Sequence, residues 1–123
     1  IDVFNHGKMK RDFTYIDDIV VAMEKLLPKI PLHEYHPNTL AKAAYKIFNI
    51  GNNNPVTLDR FIKSIEEPLQ MKAIKRHLKM QKGDVLETFA DVEELEDIID
   101  FKPKMDIERG MERFITWYRE YYH

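Results

Sequence analysis

An α/β fold, or an α+β one, with helices in the majority is what the sequence predicts, and three observations carry that expectation. Strand-type alternation and helix-type spacing succeed one another along the chain. The 123 residues are 44% apolar and 33% charged, with one Trp, six Tyr and seven Phe, which is the composition of a chain that buries a core. No internal repeat or low-complexity tract interrupts this pattern, so 1–123 is expected to form a single region.

The first element follows from Ile1 and Val3 alternating with Asp2 and Asn5, a short strand, after which "NHGK" supplies turn residues. Phe13 and Tyr15 continue the alternation as far as Asp17 or Asp18, either of which is expected to cap a helix by accepting from its free amides. Ile19, Ala22, Met23 and Leu26 recur at i, i+3, i+4 and i+7 and place one apolar stripe on that helix, which Pro28 and Pro31 end. Three prolines and no clean period make 28–45 a surface loop, with a short helical turn around 40–44. "YKIFNIGNNNP" reads as a strand buried on both faces and closed by a tight turn. Leu58, Phe61, Ile62 and Ile65 then hold helical spacing until Pro68. Residues 72–80 read as a strand through Ile74, Leu78 and Met80. In "ADVEELEDII", Asp91 stands three residues before Glu94 in the manner of a capping box, burying Val92, Leu95 and Ile99. The last helix runs from Asp106, with Ile107, Met111, Phe114, Ile115 and Tyr118 on one stripe despite Gly110.

Composition also excludes function classes. A net charge of −2 gives no global attraction to nucleic acid or to an anionic membrane, so any anion site must be local. Without cysteine there is no disulfide framework, thiolate zinc site or thiol nucleophile, and a reducing cytoplasm is the expected home. The apolar runs fall far below membrane-spanning length. The chain opens directly on strand-like alternation, which raises the expectation that it is a fragment of a longer protein.

The chemistry within these residues is sparse. Gly7, Gly51, Gly83 and Gly110 are isolated from one another, so no glycine-rich dinucleotide cradle is present, and no Tyr stands four residues before a Lys. His33 and His36 have the spacing of a metal pair but only Glu34 beside them, short of the three or four ligands a zinc site needs. The run "KAIKRHLKMQKGD" gathers Lys72, Lys75, Arg76, Lys79 and Lys82, and without flanking aromatics for base stacking it reads as a solvated face rather than a nucleic-acid surface. "FITWYREYY" reads as a packed terminal helix. Arg11 is a candidate of another kind: it precedes a strand that leads into a capped helix, where a planar guanidinium can grip two phosphate oxygens, although a plain surface arginine fits the position as well. Asp84, after Gly83, either accepts from two ribose hydroxyls or caps its turn.

In order and spacing, "KRDFTYIDDI", "YKIFNIGNNNPVTL", "QKGDVLETFAD" and "FITWYREYY" resemble the C-terminal portion of NAD-dependent nucleotide-sugar epimerases of the extended short-chain dehydrogenase/reductase family, UDP-glucuronate 4-epimerases above all. The resemblance covers nearly the whole chain and is weakest in 28–44. It implies the helix-rich substrate-binding part of that fold, lacking the N-terminal Rossmann core that binds NAD and carries the catalytic Tyr and Lys. It implies further that Arg11 binds the nucleotide diphosphate and that Asp84 reaches the uridine ribose. The partners so implied are a UDP-sugar and the N-terminal Rossmann part, with no cofactor, metal or catalytic residue held by this chain itself. Gln81 agrees with the glucuronate branch, whereas Lys82 stands where that branch more often has proline.

The reaction implied for the parent enzyme is oxidation at C4 of the sugar by NAD+, rotation of the keto intermediate and return of the hydride to the other face, interconverting UDP-glucuronate and UDP-galacturonate. A strand at "YKIFNIG" without its Rossmann neighbours would expose its edges, so self-association is expected. Two other readings stay open: a stand-alone binding or assembly module, and part of a sugar-nucleotide dehydratase or decarboxylase of the same family.

Overall fold

Two small sheets and four helices make up the computed structural model, which describes residues 1–31 and 44–122. The order is β1 (Asp2–Phe4), a 3-10 turn (Asn5–Gly7), β2 (Lys10–Arg11), α1 (Ile16–Leu26), β3 (Val56–Thr57), α2 (Leu58–Leu69), β4 (Arg76–Leu78), β5 (Glu87–Thr88), α3 (Glu93–Ile99) and α4 (Ile107–Tyr122). The class is mixed α/β, as the sequence predicts. Expectations that fall on His33, Glu34, His36 and the turn at 40–44 lie wholly or largely outside the described residues.

β1 and β4 pair in parallel, Val3 opposite His77, with Val3 fully buried. The other sheet has β2 at its centre, antiparallel to β3 and parallel to β5. Two residues of β2 therefore fix the register of two distant segments, Arg11 facing Val56 on one side and Thr88 on the other. The alternation at Phe13 and Tyr15 does not become strand. Past Arg11 the chain leaves the sheet, and Phe13 stacks on Phe61 of α2 with ring centroids 4.4 Å apart. Packing against a helix has here replaced pairing with a strand.

Helix α1 starts at Ile16 with Tyr15 at its N-cap and no side-chain cap, so the expected aspartate cap does not form. Asp17 and Asp18 lie in the first turn, where carboxylates meet the positive end of the helix dipole. Asp18 instead accepts from the Met105 amide at 3.2 Å and ties the helix to the approach of α4. Ala22 is fully buried, and with Leu95 and Ile99 of α3 it forms a core that Leu26, Phe48, Ile50, Ile98 and Phe101 complete. The predicted stripe is only partly used, because Met23 faces outward.

Residues 44–50 are the largest departure from expectation. They are not paired into a sheet, and Ile47 is 81% exposed, although Phe48 and Ile50 pack on the α1–α3 core. A strand buried on both faces needs neighbours on both edges, and the described residues offer none.

Helix α2 is capped by Thr57, whose hydroxyl accepts from the Arg60 amide at 3.2 Å. It runs through Pro68 to Leu69 and ends on Gln70 in a left-handed conformation, so the proline sits in its last turn rather than stopping it. α2 packs on α4, and Arg60 locks the two together with a two-pronged bond to Glu108 at 2.7 and 2.9 Å. Gly110 lets Tyr15 lie against α4, since a Cβ there would come within 3.3 Å of that ring. Asp106 caps α4 by accepting from the Arg109 amide at 2.8 Å. Ile115 is buried, but Phe114 and Tyr118 stay about half exposed, and with Trp117, Tyr121 and Tyr122 they form a chain of neighbouring rings along the helix. At α3 the capping box does not form: Asp91 accepts from the Glu93 amide two residues on, while Val92, Leu95 and Ile99 are buried as expected.

The basic run is largely neutralised from within. Lys72 and Lys75 reach Glu66 at 3.3 and 3.1 Å, and Arg76 holds Asp2 through two bonds of 2.7 Å. Glu66 is a buried carboxylate at the end of α2 that also accepts from the Ala73 amide at 2.9 Å. That amide, together with the two lysines, lowers its pKa from 4.5 to about 2. A depressed carboxylate stabilises the fold above its unfolded value, and the contribution disappears as pH falls through the folded one. Thermal melts should therefore show Glu66→Gln less stable than the parent at neutral pH, with the gap closing as pH falls from 4.5 towards about 2. A gap independent of pH would mean that the carboxylate's charge contributes nothing.

Candidate functional site

The sequence placed Arg11 ahead of a strand; in the structure it is the last residue of β2. Because side chains alternate along a strand, Arg11 and Asp12 leave the end of β2 in different directions and clasp different loops. Asp12 accepts from the Asn53 and Asn54 amides at 3.0 and 3.2 Å, one on each carboxylate oxygen, and so anchors the "GNNNP" turn. Its Oδ2 also stands where a Cβ on Gly51 would arrive, with the Ala90 methyl even closer to that position. Sequence reading missed Asp12, and the signal available was its place beside Arg11 together with a run of asparagines whose amides needed an acceptor.

Arg11 reaches the other loop. Its Nη2 donates to Asp84 Oδ1 at 2.7 Å and lies 3.8 Å from Met9 Sδ, while Nη1 donates to the carbonyls of Lys10 at 2.8 Å and Val85 at 3.0 Å. The two residues singled out in the sequence, 73 positions apart, are thus brought into direct contact as a half-buried ion pair. The same Asp84 oxygen accepts from the Val85 amide at 3.0 Å, and Oδ2 is left open to solvent. Both side chains are only partly exposed, so the pair feels less screening than a surface one.

Asp84 is delivered by a tight turn in which its amide donates to the Gln81 carbonyl at 3.3 Å. Gly83 has φ +84 and Lys82 does not have positive φ, the combination of a type II turn. Gln81, Lys82 and Gly83 are exposed, and a Cβ on Gly83 would meet nothing within 4 Å. The tip of the turn is therefore exposed, and its far end is held by Arg11. Lys79 and Lys82 lack an ion-pair partner among the described residues, in contrast to Lys72, Lys75 and Arg76.

On the Asp12 side of β2, Asp12, Thr14, Asn49, Ile50 and Gly51 with Thr88 of β5 and residues 89–91 of the β5–α3 connection line an open depression of about 380 Å³. Among the described residues no group of three or more His, Cys, Asp or Glu could hold a metal ion, and no helix is long and apolar enough to cross a membrane.

No protein-family profile matches the chain. It is 47% identical over 129 residues to the protein CapI of Staphylococcus aureus, an alignment that takes in 99% of this chain. Over 123 residues it is 36% identical to UDP-glucuronate 4-epimerase 4 of Arabidopsis thaliana, covering 96% of this chain and 28% of that one. Its fold matches, over 99% of the chain with a TM-score of 0.75 and 24% identity, the crystal structure of UDP-glucuronic acid 4-epimerase from Bacillus cereus in complex with UDP-glucuronic acid and NAD. The chain spans 38% of the length of CapI and 36% of the Bacillus chain.

The turn makes its own prediction. Proline is favoured at the second position of a type II turn, so Lys82→Pro should raise stability by about 0.4–1 kcal/mol through the unfolded state. Gly83→Ala should lose about 1 kcal/mol or more, because only glycine adopts positive φ without strain. Denaturant melts decide: a proline variant less stable than the parent would show that Lys82 does not occupy that position.

Proposed function

We propose, for a chain that carries the C-terminal part of the extended short-chain dehydrogenase/reductase fold and is similar throughout to the nucleotide-sugar epimerases of that family, that residues 1–123 hold the nucleotide end of a UDP-sugar. Arg11 grips the diphosphate and Asp84 accepts from the ribose. What supports the reading is that the fold brings these two side chains, 73 positions apart, to within 2.7 Å of each other beside an exposed turn, so that a cation and a carboxylate are within reach of one ligand. A guanidinium matches phosphate oxygens in charge and fork geometry, and a carboxylate oxygen matches a hydroxyl donor.

The parent enzyme, in this proposal, interconverts UDP-glucuronate and UDP-galacturonate. It uses NAD held by an N-terminal Rossmann part that also supplies the catalytic Tyr and Lys. The residues present here do not fit the dinucleotide: Gly7, Gly51, Gly83 and Gly110 lie in four separate places, and none opens a helix after a strand. In this proposal the part of the chain's own residues is to bind and orient. The extended segment 45–50, seated on the core through Phe48 and Ile50 with Ile47 turned outward, is the portion that joins the Rossmann sheet as a strand.

Calorimetric titration of the folded chain with UDP tests the proposal. Weak saturable binding is expected, since a half-site lacks the preorganisation its other half provides. Arg11→Ala should weaken it roughly 10- to 100-fold, the worth of charge-assisted hydrogen bonds. Binding left intact by that substitution, or none to a demonstrably folded chain, would contradict it.

A further inference from the structure

A guanidinium has five N–H donors, and in Arg11 the four on the terminal nitrogens point at Lys10 O, Val85 O, Asp84 Oδ1 and Met9 Sδ, leaving only Nε–H without a partner among the described residues. In this conformation Arg11 cannot also grip two phosphate oxygens. Asp84 occupies the position an anion would take: its Oδ1 lies 2.7 Å from Nη2, the distance of a charge-assisted bond. The carboxylate is carried on a turn whose tip packs against nothing and whose glycine has the backbone freedom to re-aim it.

From these observations we infer that Asp84 is a latch: it holds Arg11 closed until a diphosphate displaces it, so that binding of the phosphates opens the 81–85 turn and releases the carboxylate for the ribose. The inference rests on the reading of Arg11 as the diphosphate grip and adds to it an order of events and an internal competitor. The competition is of a useful size. An ion pair of this exposure is worth only a few-fold in an equilibrium, small enough for a doubly charged ligand to overcome and large enough to hold the turn closed without one. The coupling also favours ligands that carry both groups, since a diphosphate alone gains the arginine but leaves Asp84 without a partner, and a nucleoside alone meets a carboxylate with only Oδ2 free.

Titration with inorganic pyrophosphate, followed by amide hydrogen exchange at Val85, tests the latch. The Val85 amide donates to the Oδ1 that Arg11 holds and so reports whether Asp84 has moved. Pyrophosphate should speed exchange at Val85 in the parent chain. Asp84→Asn, which keeps the size and removes the charge, should bind pyrophosphate roughly two- to fivefold more tightly, the equivalent of the ion pair released. Because deleting a negative charge also raises affinity for anions through the field alone, the same substitution is made in Arg11→Lys, which keeps the charge but not the fork. Under the latch most of the gain vanishes there. Unchanged exchange at Val85 on saturation with pyrophosphate, or an equal gain in both backgrounds, overturns the latch while leaving Arg11 as an anion grip. Pyrophosphate binding that Arg11→Ala does not weaken overturns the grip itself.

Discussion

The contact on which the candidate site depends is the one between Arg11 and the 81–85 loop. β2 is only two residues long, yet it stands between β3 and β5 and so joins segments 45 to 77 positions away. Two backbone ladders of that length cannot hold a sheet in water unaided. Side chains at the end of β2 add the missing constraint: Arg11 fastens the loop before β5, and Asp12 fastens the asparagine turn before β3. An arginine and an aspartate in succession, of opposite charge and leaving the strand end in different directions, give each flanking loop the partner its polar groups require: carbonyl and carboxylate on one side, two amides on the other.

Around this hub the packing divides into two parts. Ala22 of α1 with Leu95 and Ile99 of α3 forms one apolar centre, to which Phe48 and Ile50 are pinned. α2 and α4 form the other, joined by the Arg60–Glu108 bond and reached by α1 through Tyr15 against Gly110. Much apolar surface remains outside both. Ile47 stands clear of the core, and the rings of Phe114, Trp117, Tyr118, Tyr121 and Tyr122 touch mainly each other. A chain with its own core but an unpaired extended segment keeps apolar surface available for a further contact, and it spans 38% of the length of CapI.

Helix positions were legible in the sequence because each of α1, α2, α3 and α4 carries a period that burial then uses: Ala22, Ile62, Leu95 and Ile115 are all inside. Caps were less so. Thr57 and Asp106 act as their residue types suggest, whereas Asp18 was drawn to the Met105 amide and Asp91 turned to the nearer Glu93 amide. Tertiary contacts outbid local preference there, which no window along the chain reveals. The run at 44–50 has the composition of a buried strand, but pairing depends on neighbours, and composition does not say whether they are present. Arg11 and Asp84 each stood out in the sequence one at a time, as candidates. Their pairing did not, because it depends on β2 and β5 lying side by side.

The most direct test of Arg11 and Asp84 as the nucleotide grip is a crystal structure of the protein with UDP bound. The expected result has the Arg11 guanidinium on the diphosphate oxygens, Asp84 against the ribose hydroxyls, and the 2.7 Å contact between them broken. UDP bound at another surface, with Arg11 still closed on Asp84 and Val85, would make the pair a structural clasp and contradict the assignment.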